Sequence, residues 1–386
     1  MRERVAIVAA AQTKFEPHKD KQRMQEIVWE VVSHVVKQTG LHFEEEMGID
    51  NAVTCSDDFF DARTISDGAI TDVVGSHMRS EEKVSMDSLM AVYYAWAGIL
   101  SGHYDITLVV AHSKESQAMS RNLITNAAFD PIYQRPLGID YLQACALQAR
   151  AYMNSYKISK EIFAKVVVKS RQNASKNPFA QEKKKVTCDQ VLKSPMVADP
   201  LSKLDIYPVS DGACAMILAT ESKAKLITDK PVWILGGGCC YDNFYLGDRN
   251  LARSDALRKA AGRAYQMAGI KQPSRQLSLA EISAYYSYQE PLWCEGLGLC
   301  PDGKGGIFTE SGESSLDGKM PVNPSGGPLT GNPQMVGGIV RAAECFLQLR
   351  GEAGKRQVKN AKRALAHGTI GPAGQFHAVM IFGVEN

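Results

Sequence analysis

No two cysteines in this chain are spaced as CxxC, although nine are present, at positions 55, 145, 188, 214, 239, 240, 294, 300 and 345. An odd number at irregular spacing argues against a disulfide framework or a zinc ribbon and for a reduced, cytoplasmic chain. Cys239 and Cys240 are adjacent and poorly placed to grip one metal ion together. No stretch reaches the roughly eighteen apolar residues of a membrane-spanning helix. Charge of one sign is not in excess either. Lys+Arg 44 against Asp+Glu 42 leaves +2 over 386 residues, which gives no global pull toward nucleic acid or a membrane. The opening Met1-Arg2-Glu3-Arg4 has the charge of a secretory leader, but the apolar run after it is short and turns polar at Gln12-Thr13-Lys14. It reads as a first buried strand.

Two nucleotide-binding motifs are incomplete. Gly298-Leu299-Cys300-Pro301-Asp302-Gly303-Lys304 imitates a phosphate-binding loop, yet Gly305 follows where Ser or Thr should bind magnesium. Gly236-Gly237-Gly238 follows a strand pattern, but Tyr241 stands where a dinucleotide fingerprint needs its last glycine.

What is present is a globular composition, 45% hydrophobic and 22% charged, arranged as a repeat about 230 residues apart. Residues 5–8 form a strand, 22–38 a helix, and Thr39-Gly40-Leu41 a glycine stop before a strand at 52–54. Residues 232–235, 255–267, Ala268-Gly269-Ile270 and 279–282 follow the same order, with glycine again where a helix end favours left-handed geometry. Each half continues with a buried helix and an apolar strand: 88–101 with 106–110, and 336–349 with 363–366. Strands at 213–218 and 378–382 close the halves. The alternation predicts an α/β fold of five layers, α-β-α-β-α, from two duplicated halves at residues 1–220 and 221–386. Ala91, Ala95 and Gly98 would let a second helix approach the first closely at the centre, and Met86, Met90, Trp96 and Leu100 read as core.

Residues 116–205 interrupt this pattern as an insertion. It contains a helical stretch at 141–156 and then a basic segment, net +7 over residues 157–185, suited to a polyanionic small molecule or simply to a solvated face.

Short segments along the whole chain resemble the thiolase superfamily, nearest its sterol-carrier-protein-type branch. They include Ser101-Gly102-His103-Tyr104-Asp105, Asn177-Pro178-Phe179-Ala180, Ala198-Asp199-Pro200-Leu201, Ser210-Asp211-Gly212-Ala213-Cys214-Ala215, Asn323-Pro324-Ser325-Gly326-Gly327 and Gln348-Leu349-Arg350-Gly351. The resemblance implies a five-layered dimer that binds coenzyme A thioesters under an inserted loop domain, with CoA as substrate or product and no permanently bound cofactor. On that footing Arg171, Lys183, Lys184 and Lys185, with Ser325 and Gly326, are expected to hold the CoA. The partner is expected to be a second copy or another thiolase-like chain, and also a small zinc-ribbon/OB-fold protein. No nucleic acid or membrane is expected.

The family works with four elements, and this sequence departs at three. Ser88 stands where the nucleophilic cysteine begins a helix. Ser283, in Glu281-Ile282-Ser283-Ala284-Tyr285-Tyr286, takes the place of a His or Asn that holds a thioester oxygen through water, and Ala284 that of an acidic residue. Gly331-Asn332-Pro333 replaces a Gly-His-Pro loop, so Asn332 can donate to an oxyanion but cannot take a proton. His367 retains the proton shuttle of the last loop. A Ser88–His367 nucleophile pair is one reading. Tyr285, Tyr286 and Tyr288 give another, because some thiolase-like aldolases lack the cysteine and use tyrosines; Tyr286 is the candidate acid, against a plain wall role for the cluster. Asp87, just before Ser88, reads as a helix cap. Two functions follow: a retro-Claisen or retro-aldol enzyme acting on acyl-CoA without a cysteinyl intermediate, or a catalytically silent scaffold subunit of a heteromeric complex.

Overall fold

The computed structural model describes residues 3–43 and 48–384; Met1 and Arg2 of the leader-like opening lie outside the described residues. Along the chain, β1 (Val5–Gln12) leads to α1 (Met24–Thr39), β2 (Asn51–Cys55), β3 (Glu81–Lys83), α2 (Ser88–Leu100) and β4 (Ile106–Lys114). An excursion then carries α3 (Arg121–Asn126), α4 (Tyr141–Tyr156), α5 (Lys160–Ala174), α6 (Cys188–Leu192) and a two-stranded ribbon, β5 (Met196–Ala198) with β6 (Leu201–Ser202). The chain returns as β7 (Asp211–Thr220), then α7 (Glu221–Ile227), β8 (Val232–Tyr241), α8 (Asp255–Ala268), α9 (Pro273–Gln276) and β9 (Leu279–Ile282). It closes with α10 (Gln289–Gly296), α11 (Gly305–Glu310), α12 (Gly337–Arg350), β10 (Arg363–Ile370) and β11 (Phe376–Gly383).

The main strands form one hydrogen-bonded sheet in the order β3-β2-β4-β7-β1-β8-β11-β10-β9. Outward from the β1–β8 junction, each side has an antiparallel neighbour, a second antiparallel step and then a parallel pair. The junction itself is short, Ala6 opposite Trp233 and Ile7 opposite Val232.

Burial sorts the elements into layers. On α1, Met24, Ile27, Val28, Val31, Val32 and Val35 make an apolar stripe at helical spacing, packed with Val8, Leu108, Val110 and Ile217 on one face of the first strands. The opposite face of those strands, through Val53, Val109, Met216 and Leu218, joins Leu89, Val92 and Trp96 of α2 and Ile339, Val340 and Phe346 of α12 in a central cluster. That cluster also takes in Ala364, Ala366, Ala378 and Met380 from the second set of strands, whose other face packs against α8 and α10. The result is α-β-α-β-α, with α2 and α12 in contact at the middle. Ala91 and Ala95 lie in this central cluster, but Gly98 does not: the nearest side chain to it is Tyr104.

The Gly236-Gly237-Gly238 run serves packing. A β-carbon on Gly236 would sit 2.5 Å from the Ala264 carbonyl oxygen and one on Gly238 2.3 Å from that of Ala260, so the glycines let α8 press on β8. No helix among the described residues is long and apolar enough to cross a membrane, and no group of three metal-ligating side chains occurs among them.

Candidate functional site

A narrow pocket lies where the N-termini of the two central helices meet. Its walls include Asp87 before α2, Tyr141 and Cys145 of α4, Tyr207, Tyr285 and Tyr286, Gln289 of α10, Gln334 before α12, and Thr369 at the end of β10. Both ends of the chain therefore contribute to one site.

Asp87 caps α2, its Oδ1 accepting the Leu89 N–H at 2.9 Å, as expected of that residue type. Its other oxygen, Oδ2, faces the Tyr285 hydroxyl at 3.3 Å, and the same hydroxyl lies 3.1 Å from the Thr369 carbonyl oxygen. The Gly338 N–H, in the first turn of α12, also bonds the carboxylate. The fit is close: a β-carbon on Gly338 or on Gly368 would come within 1.9 Å of Oδ1. Asp87 is 1% exposed. Burial raises its pKa from 3.8 to about 7, against the opposing pull of the Leu89 N–H, Tyr285, the Gly338 N–H and Arg341.

Next to it is a polar chamber around Gly337. A β-carbon there would lie 2.8 Å from Asn332 Oδ1, 3.2 Å from the Tyr285 hydroxyl and 3.6 Å from Ser283 Oγ. Ser283 Oγ and both amide atoms of Asn332 are buried without a hydrogen-bond partner. A wholly buried amide with no partner costs stability and points to a ligand or substrate oxygen.

The phenols are donors here. Burial pushes Tyr285 and Tyr286 well above the usual value, and Tyr207 is raised as well, so all three stay protonated at neutral pH. Tyr207 donates to Gln334 Oε1 at 3.3 Å and carries the Arg121 guanidinium over its ring at 4.0 Å. Gln289 Oε1 fixes the turn by accepting the Tyr285 and Tyr286 N–H groups at 2.9 and 3.2 Å. Tyr288 points away and donates to Gln148 at 2.8 Å, a core role.

Of the residues expected from sequence, Ser283, Asn332 and Tyr286 come together around this site. Ser88 does not line it. Its hydroxyl, fully buried, accepts the Ile339 N–H at 2.9 Å. Ser88→Ala is accordingly expected to lower stability by about 1–3 kcal/mol, through the stranded Ile339 N–H, and to leave turnover unchanged; a denaturant midpoint beside kcat checks both. His367 does not line the pocket either. Its neighbour Gly368 faces Asp87, and alternation along β10 turns His367 to the other side of the strand, where it pairs with His377 at 2.9 Å near Trp293. Burial lowers its pKa to about 3, so it is neutral.

The expected CoA ligands divide. Lys184 and Lys185 are exposed. Lys183 donates to the Pro178 carbonyl at 2.7 Å, and Arg171 is buried and paired with Glu182. Elsewhere in the basic segment, Lys165 pairs with Glu310 and Lys169 with Glu290, so two of its nine positive charges meet acids from outside the segment. Ser325 binds Glu281 through both its N–H and its hydroxyl, at 2.8 Å each, beside Arg341, and Gly326 packs on Ala174. Ser325 therefore supports a buried ionic cluster.

Asp87 was missed as a site residue because a cap explains it. One signal pointed to it: it is the only charged residue between Val84 and Leu100, in a stretch that otherwise reads as core.

Comparison with known proteins agrees with this architecture. The family model described as Thiolase, N-terminal domain matches residues 5–222, and Thiolase C-terminal domain-like matches residues 240–384. The chain belongs to the thiolase family. It is 34% identical to an acetyl-CoA acetyltransferase of Methanothermobacter thermautotrophicus, over 98% of this chain and 99% of that one. It is also 37% identical to sterol carrier protein 2 of Oryctolagus cuniculus, over 56% of this chain but only 41% of that longer protein. Among solved structures, the Ltp2-ChsH2(DUF35) aldolase has the same fold, with a TM-score of 0.84 at 21% identity over 99% of this chain and 98% of that one.

Proposed function

We propose that this protein makes or breaks a carbon–carbon bond next to a coenzyme A thioester without passing through a cysteinyl acyl-enzyme. The observation that carries the reading is the pocket together with the chamber beside it: an acid and phenols line the pocket, with Cys145 the only thiol among its lining residues, and the unpartnered Asn332 amide lies next to it around Gly337. Burial pushes that thiol up to about 12, leaving almost no thiolate at neutral pH. Ser88, the residue expected from sequence at the nucleophile position, has its hydroxyl turned to α12. Asn332 Nδ2 is a donor without an acceptor, suited to the oxygen of a thioester as it gains charge.

CoA enters as substrate or product, with Lys184 and Lys185 the basic side chains free to meet its phosphates. The same reading takes the chain as two halves, 1–220 and 221–386, with 116–205 inserted; the mirrored strand order supports it. Nine free cysteines fit a cytoplasmic setting. A second thiolase-like chain or a small zinc-ribbon/OB-fold partner belongs to the proposal, supported by likeness in fold to the Ltp2-ChsH2(DUF35) aldolase.

Incubation with β-ketoacyl-CoA and β-hydroxyacyl-CoA panels, alone and with any co-encoded protein, is expected to yield a shortened acyl-CoA with no acyl mass added to the protein. A stable acyl adduct on Cys145 would overturn the mechanism. The absence of any turnover would instead favour the silent-scaffold reading.

A further inference from the structure

The wall of the pocket contains one group that both ionises in a useful range and faces the cavity. Tyr207, Tyr285 and Tyr286 are held protonated, Cys145 is held as a thiol, and His367 lies on the far side of β10. Asp87 remains. Capping α2 occupies its Oδ1; Oδ2 is left toward Tyr285 and the pocket. Asparagine, serine or threonine would cap as well without placing a carboxylate at 1% exposure in a largely apolar core. The groups facing it are the Tyr285 hydroxyl, the Leu89 and Gly338 N–H groups and, more distantly, Arg341 and the buried Cys55 thiol of β2. The backbones of Gly338 and Gly368 close on it so tightly that neither position can carry a side chain. A cap needs no such enclosure, whereas a base needs a fixed position.

We propose that Asp87 is the general base of this site and that its substrate is a β-hydroxyacyl thioester, cleaved in the retro-aldol sense; the inference rests on the carbon–carbon reading above. The Asp87 carboxylate takes the proton of the β-hydroxyl. The O–H electron pair becomes the carbonyl bond of the departing aldehyde or ketone, and the bond between the α and β carbons breaks. Its electrons pass to the α carbon and onto the thioester oxygen, where the Asn332 amide donates. The proton on Asp87 then returns to the α carbon, giving the shortened acyl-CoA and the original carboxylate. Nothing is oxidised or reduced, and no co-reactant is consumed. A β-ketoacyl thioester has no such proton to give: its cleavage needs a nucleophile at the keto carbon, and neither Cys145 nor Ser88 is placed and ionised to provide one. Tyr285 is a positioning residue: its hydroxyl lies between Oδ2 and the Thr369 carbonyl oxygen, within donating distance of each.

The test uses the full chain, with any partner needed for activity. 3-Hydroxybutanoyl-CoA and a β-methyl-branched analogue are the probes, followed by carbonyl release and by mass spectrometry of the CoA product. Wild-type kcat is expected to rise with pH as a single group deprotonates near neutrality. Asp87→Asn keeps the cap and is expected to lower kcat by about 10²–10⁴-fold with KM little changed. Asp87→Glu restores part of the rate and keeps the pH dependence. A folded Asp87→Asn protein that retains its rate, or loses only affinity, overturns the role of Asp87 and leaves the carbon–carbon reading intact. A wild-type profile flat across neutral pH does the same without depending on any variant. Cleavage of 3-oxobutanoyl-CoA but not of the hydroxy probes removes the retro-aldol assignment. Cleavage of neither removes both readings.

Discussion

Between about pH 4 and 7 the wild-type protein is expected to lose about 4 kcal/mol of stability relative to Asp87→Asn. The buried carboxyl binds its proton up to about 7 in the folded state, against 3.8 for the free side chain. Within that window the folded state holds the proton and the unfolded state has released it, so stability falls as pH rises through it and is fully reduced above it. Asparagine cannot ionise, keeps an oxygen for the Leu89 N–H and offers its amide to the Tyr285 oxygen. Glu281, also buried and raised to about 7 despite Arg341, contributes its own slope, but equally in both proteins. Urea midpoints at fixed protein concentration across that range isolate the difference between the two chains. Parallel curves would mean that the Asp87 carboxyl ionises as readily in the folded protein as in the unfolded chain. A substitution that strengthens the fold above neutrality while abolishing turnover is the signature of a group retained for chemistry.

Asn332→Ala is expected to cut kcat by about 10²–10³-fold while leaving the thermal midpoint unchanged or higher. The amide is 1% exposed, and neither Oδ1 nor Nδ2 has a partner. Its removal relieves a desolvation cost of about 1–3 kcal/mol, which offsets the packing lost with the side chain. A purely structural asparagine behaves the other way, losing stability and not rate. Asn332→Asp sharpens the contrast, since a carboxylate has no N–H to offer a developing oxyanion and repels it. Measuring kcat and midpoint on the same preparations separates the two behaviours.

The layered fold was legible because its signal is hydrophobic period. The stretch 279–282 matches β9 residue for residue, 141–156 matches α4, and α1, α8 and the Gly40 and Gly269 stops fall within two residues of expectation. Strand β3 was not legible. Glu81-Glu82-Lys83 has no apolar alternation and owes its conformation to parallel pairing with β2 and to bonds from Thr54 to Glu81 and from Asn51 to Glu82. Nor did sequence show that β1 and β8 join the two sets of strands into one sheet, because two residue pairs leave no pattern.

The site was half legible. Ser283, Asn332 and Tyr286 could be placed by motif position, since each follows or precedes a strand or helix whose end is fixed. Ser88 and His367 were displaced by one residue's worth of rotation. A step along α2 turns a side chain by about 100° and a step along β10 by about 180°, so the residue before Ser88 and the residue after His367 meet at the pocket instead. Which lysines of the basic segment are paired was not legible, because the partners Glu290 and Glu310 lie more than a hundred residues away and only the folded chain brings them to Lys169 and Lys165.

Asp87 precedes one central helix, while Tyr285, Gly338 and Thr369 come from the far end of the chain. Neither portion holds a usable fragment of the chamber. During refolding, activity therefore cannot return before the two helix starts have docked.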